Sequence, residues 1–92
     1  MVDVRAGVDA VDAELVALIA ERFGYMRAAA RIKTARSAVR DEGRKAQVIA
    51  NVVREAHLSG VPDPLPETLI ADLWERLIEA SIAYEMKAFE GR

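Results

Sequence analysis

Two cations stand where a helix should be apolar. In residues 4–33, VRAGVDAVDAELVALIAERFGYMRAAARIK, the side chains Val4, Val8, Val11, Leu15, Leu18, Tyr25, Ala29 and Ile32 follow a spacing of four and three. That spacing is the seam of a helix packed along its length. The register asks for an apolar residue at position 22, and the chain has Arg22 there. A guanidinium on a buried seam is costly unless an anion meets it. Lys33 follows eleven residues later. Eleven steps of about 100° return it to within roughly 20° of the same face, about 16 Å along the axis. Far along the chain, Ser81 and Glu85 stand four apart among Ile78, Ile82 and Phe89, one above the other on a helix. Arg44 opens a further apolar-periodic stretch and joins the set. This set is rich in cations, with one hydroxyl and one carboxyl. It offers no nucleophile beside a base, no carboxylate pair and no metal cluster. Such side chains suit a small dianion whose reaction needs holding and charge stabilisation, not covalent catalysis.

Each of these residues also has a plainer explanation. Arg22 is open to a structural ion pair with an acid of a neighbouring helix, and Lys33 to a snorkelling stem at a helix end. Glu85 faces solvent if its helix is turned, and Arg5, near a helix start, would ordinarily be a surface residue. Trp74 and Tyr84 read as core or interface aromatics, and His57 as a helix-end surface residue.

Three helices must position the set. The first covers residues 4–33, with Asp3 as its N-cap and Asp9, Asp12 and Glu14 suiting the positive end of its dipole. Residues 34–40, TARSAVR, lose the apolar period and read as a basic, polar loop with little to anchor it. Asp41 caps a second helix over 42–58, with Ala46, Ile49, Val52 or Val53, and Ala56 on its core face, ended by Ser59-Gly60. The prolines of VPDPLP, 61–66, forbid helix and make a rigid connector. Pro66 suits the first turn of a third helix. That helix runs to about Phe89 and buries Leu69 or Ile70, Leu73, Leu77, Ile78, Ile82 and Phe89. The expected fold is all-α, one domain over 1–92. A thirty-residue helix spans about 45 Å, more than a compact chain of this size covers, so the economical arrangement is an intertwined homodimer. Arg5 lies about 25 Å from Arg22 along the same helix, yet in an antiparallel dimer the partner subunit's Arg5 would approach it.

Composition excludes other classes. The chain has 92 residues, 52% of them hydrophobic, a net charge of −2, no cysteine and a single histidine. There is thus no disulfide framework, no thiol chemistry and no His- or Cys-built zinc site. The charge gives no reason to expect nucleic acid. No apolar run reaches membrane-spanning length, and no secretory signal is present, so a cytoplasmic protein with no membrane partner is expected.

In order along the chain, these pieces resemble the all-helical class of chorismate mutases and the closely related isochorismate–pyruvate lyases, over nearly the whole length. The likeness rests on Arg5 followed by VDAVDAELVALIAER, ending at Arg22. It continues through RAAARIK, ending at Lys33, VRDEGRK, containing Arg44, and LIEASIAYE, containing Ser81 and Glu85. The resemblance implies a homodimer with two shared sites and no cofactor. Arg22 and the partner subunit's Arg5 would bind the substrate carboxylates, and Lys33 and Glu85 would donate to its ether oxygen. Arg44 and Ser81 would line the pocket, and Asp41 joins the substrate-binding set. The implied activity is a shikimate-pathway isomerase of aromatic amino acid biosynthesis, rearranging chorismate to prephenate in one pericyclic step. Two residues depart from the family pattern. Many bacterial members have Gln where this chain has Glu85, and mutases often have Glu, meeting the C4 hydroxyl, where it has Lys45. Lys45 and the likeness of GYMRAAARIK to the lyase branch keep isochorismate–pyruvate lyase open, beside a 4-amino-4-deoxychorismate mutase. A non-catalytic helical dimerisation module would explain the seams but not Arg22 and Lys33.

Overall fold

The structure is a computed structural model and describes residues 2–59 and 65–92. Among these it is all-helical. The helix α1 runs Val2–Ile32, a 3-10 turn follows at Arg36–Ala38, and then come α2, Glu42–His57, and α3, Glu67–Glu90. Both α1 and α2 pack on α3, so α3 joins the two halves of the fold. Contacts advance in the same direction along α1 and α3. Leu15 and Leu18 share a groove with Leu73, Arg22 meets Ser81 and Arg27 meets Tyr84, so these two helices run parallel. Among the described residues, no helix is long and apolar enough to cross a membrane.

The helix ends follow local chemistry, with small departures from expectation. Asp41 caps α2, its Oδ1 accepting from the Arg44 backbone N–H at 2.9 Å, which satisfies one otherwise unpaired donor of the first turn. Asp3 is not an N-cap: α1 is already helical at Val2, and Asp3 lies in its first turn, where its charge still suits the dipole. Pro66 is the N-cap of α3 and not a first-turn residue, because its ψ of 119° is extended. Its carbonyl accepts from the Ile70 N–H at 3.2 Å. α2 ends at His57, with the Leu58 N–H closing on the Arg54 and Glu55 carbonyls, both at 3.1 Å. Gly60 of the expected stop, and residues 61–64 of the proline connector, lie outside the described residues.

The inward register differs from the expected seam in the second half of α1. Arg22, Met26, Ala29, Ala30 and Lys33 turn inward, whereas Tyr25 and Ile32 are 67% and 80% exposed. The cause is α3, which packs on the flank carrying Phe23, Met26 and Ala30 and draws the buried face toward it. Residues 3–21 stay exposed throughout, with Val4, Val8, Val11, Leu15 and Leu18 half to two-thirds open to solvent. In α2, Ile49, Val52 and Val53 are half-buried and Ala56 buried, as the pattern predicts, but Ala46 is exposed. Lys45 takes the inward place beside it because its ammonium finds Glu75 and Glu79 of α3. In α3, Leu69 and Leu73 are half-exposed on the single chain, and Ile78 is buried. The 34–40 stretch is better anchored than its polar composition suggests: Val39 is only 5% exposed.

Candidate active site

The site begins with the two anomalous helices meeting. Because α1 and α3 run parallel, the Arg22 level of one falls beside the Ser81 level of the other. Arg22 donates from Nη1 to Ser81 Oγ at 2.7 Å, and Ser81 donates to the Leu77 carbonyl at 2.7 Å. The hydroxyl thereby holds the guanidinium in one direction. One turn further, Lys33 Nζ donates to Glu85 Oε2 at 2.5 Å. Ser81 and Glu85 are 3% and 4% exposed. A buried carboxylate persists only with a partner, and Lys33 is that partner.

The third wall is α2. Its capped first turn brings Asp41, Arg44 and Lys45 to one cavity of about 390 Å³ with Arg22, Lys33, Ser81 and Glu85, floored by Met26, Val39, Val48, Ile78 and Ile82. Pockets of this size accommodate a small organic ligand. Four cationic and two acidic side chains line it, and they are not equally balanced. Lys33 is paired with Glu85. Lys45 is paired with Glu75 and Glu79, which hold its proton more tightly than usual. Among the described residues the Arg44 guanidinium donates to Gln47 Oε1, at 2.8 Å, and the Arg22 guanidinium to Ser81. Among the described residues, neither guanidinium meets a carboxylate within ion-pair distance. Burial, and then the charge of Arg44, make Arg22 more acidic than an ordinary arginine, although a guanidinium stays charged at neutral pH. Two uncompensated positive charges therefore face one cavity. Such an arrangement is suited to an anion and to negative charge that develops beside Lys33.

Thus Arg22, Lys33, Asp41, Arg44, Ser81 and Glu85 come together at one cavity. Arg5 does not: it is exposed near the amino end of α1, about 25 Å from Arg22 at 1.5 Å per residue. Sequence reading did not place Met26 or Val39 in the wall, and it met Lys45 only as the position where mutases often carry a Glu toward the C4 hydroxyl. Met26 was findable as Arg22 plus one turn, and Val39 as the lone large apolar residue of the basic stretch. The inward turn of Lys45 depends on the acids of α3. Among the described residues, no group of His, Cys, Asp and Glu is placed to hold a metal. Outside the cavity, Tyr84 packs edge-on against Phe23 with ring centroids 4.8 Å apart and accepts a hydrogen bond from Arg27, an interhelical aromatic as expected. His57 is the exposed last residue of α2.

Residues 4–86, a span that holds every residue of the cavity and Arg5, match the family chorismate mutase type II. The chain belongs to that family. Over 84 residues it is also 29% identical to the isochorismate pyruvate lyase of Pseudomonas aeruginosa, covering 91% of this chain and 83% of that protein. No solved structure matches it significantly. Membership of the chorismate mutase type II family accords with an all-helical enzyme whose cavity is built from cations and donors.

Proposed function

We propose that the chain is a chorismate mutase, converting chorismate to prephenate. The observation that carries this reading is the pair of uncompensated guanidiniums, Arg22 and Arg44, facing the same cavity as the Lys33–Glu85 pair. In the rearrangement the ether carbon–oxygen bond breaks as a carbon–carbon bond forms between the enolpyruvyl methylene and the ring, in one cyclic movement of electrons. Negative charge grows on the ether oxygen, so donors fixed there stabilise the transition state more than the ground state. Lys33 is one such donor. Glu85 is another only when it carries a proton, since a carboxylate accepts and cannot donate. Cations on the substrate carboxylates hold the reactive conformer. No proton is removed and no covalent intermediate forms, which fits a cavity without a nucleophile.

The resemblance to the Pseudomonas aeruginosa enzyme favours a second reading, an isochorismate–pyruvate lyase. There the same ether bond breaks while a ring hydrogen passes to the methylene carbon, releasing pyruvate and leaving the aromatic salicylate. The same clamp serves both reactions. Lys45, paired with Glu75 and Glu79 of α3, offers no acceptor to a ring hydroxyl and is the residue most in keeping with this branch.

The working form is a homodimer with shared sites. Support comes from the exposed apolar stripe of α1 and from a radius of gyration of 15.9 Å, against about 12 Å for a compact chain of this length. An apolar groove of about 380 Å³, formed by Leu15, Leu18 and Ile19 with Leu73, Trp74 and Leu77, continues the stripe. A second copy covering it antiparallel would deliver its Arg5 to the cavity. Incubation of the purified protein with chorismate, isochorismate and 4-amino-4-deoxychorismate, each followed by product identification, decides among the reactions. Turnover of none of the three would leave a helical binding module.

A further inference from the structure

Arg22 and Arg44 repel each other across the cavity, and α1 and α2 are joined through α3. Something on α3 must therefore fix the α2 wall. Glu79 has the required contacts. Its Oε1 accepts from Arg40 Nη2 at 2.7 Å, and its Oε2 accepts from Arg40 Nη1 at 3.1 Å and from Lys45 Nζ at 2.8 Å. Arg40 also donates to Glu42 at 2.8 Å, and Lys45 to Glu75 at 2.7 Å. A lone surface ion pair contributes little, but a bidentate arginine within a network of several charges fixes geometry. Arg40 sits between Val39, buried, and Asp41, the cap of α2, and both neighbours line the cavity. Glu79 itself stands two residues before Ser81 on the same helix.

Accepting the proposed function, we propose that Glu79 is a positioning residue: it ties the loop end at Arg40 and the first turn of α2 at Lys45 to α3. Asp41 and Arg44 are thereby held opposite Arg22 and Ser81. Its carboxylate touches no substrate. It sets the width of the anion clamp, while Lys33, Glu85 and Arg22 keep their own supports on α1 and α3. Loss of Glu79 should then weaken ground-state and transition-state binding alike.

The test is Glu79→Gln, with chorismate and isochorismate as substrates and amide hydrogen exchange on the free protein. The expected result is a KM raised about tenfold with kcat within about threefold of the native value, and faster exchange confined to residues 38–45. Arg40→Gln should act in the same direction, and the double variant should be no worse than Glu79→Gln alone, since both break one contact. An unchanged KM overturns the inference. So does a loss of kcat alone with faster exchange through all three helices, the pattern of a merely destabilising change. If the native chain turns over neither compound, the proposed reaction falls but the exchange measurement still decides: exchange at 38–45 equal to native shows that Glu79 holds nothing in place.

Discussion

At the scale of single residues, the site works by leaving charge uncompensated in some places and pairing it in others. Ser81 directs Arg22 without neutralising it, so the guanidinium stays available to an anion. Arg22→Ala should lower kcat/KM on the working substrate by about 10²–10³-fold, the usual cost of removing one fixed transition-state donor, with helicity by circular dichroism unchanged. Arg22→Lys should recover only part, because an ammonium cannot reproduce the planar fork that holds a carboxylate at two points. Glu85 presents the opposite case. Paired with Lys33, it contributes to the breaking bond only in its neutral form, because a carboxylate cannot donate to the ether oxygen. Glu85→Gln, a neutral donor of similar size, should keep substantial activity, while Glu85→Ala should be poor. A Glu85→Ala variant as active as the native chain would remove Glu85 from the breaking bond.

At the scale of elements, α2 is placed by two polar devices at its start. The Asp41 cap accepts from the Arg44 N–H at 2.9 Å, and Asp41→Ala should cost about 1 kcal/mol of stability, read from the midpoint of urea unfolding. The second device is the Glu79 network. Hydrogen bonds from Arg40 and Lys45, with their charges, lower the Glu79 pKa from 4.5 to about 2. A folded-state value below the unfolded one means that the native state holds the carboxylate in its charged form more strongly. Its contribution is therefore complete above pH 4.5 and is lost as pH falls toward 2. Urea midpoints measured at steps through that window should drop more steeply for the native chain than for Glu79→Gln. Parallel curves would mean that the network does not couple to folding.

At the scale of the molecule, the chain measures 50 × 26 × 16 Å and leaves residues 3–21 of its longest helix exposed. An apolar stripe of that extent on a lone chain marks an interaction surface, and a second copy is the proposed occupant. Leu15→Glu, which puts a charge in the middle of the stripe, should yield monomers in analytical ultracentrifugation and reduced helicity. Arg5→Ala and Arg22→Ala homodimers should each be nearly inactive. Mixing the two under subunit exchange should restore one working site per heterodimer. Exchanged mixtures that stay inactive would rule out a site completed by the partner subunit's Arg5.

Periodicity alone located the three helices, because burial of one face imposes a repeat that survives without coordinates. Breaks in that repeat, at Arg22 and at Ser81 with Glu85, marked the chemistry for the same reason: a polar group on an apolar face demands a partner. The Asp41 cap was legible because capping is settled within four residues of chain. The inward rotation of α1 to Met26 and Ala30, away from Tyr25 and Ile32, was not legible. It depends on which flank α3 covers, and both flanks are apolar enough to serve. Lys45 displacing Ala46 from the inner face of α2 was hidden as well, since its burial requires Glu75 and Glu79 thirty or more residues away. Val39 anchors a stretch that composition reads as polar because one valine among six polar or small neighbours leaves no periodic trace. Local spacing therefore specified which side chains were costly to bury, and tertiary packing decided how each was compensated. Only the packing reveals that Lys33 and Lys45 find carboxylates, because Glu85, Glu75 and Glu79 lie thirty or more residues along the chain, whereas among the described residues Arg22 and Arg44 meet none within ion-pair distance.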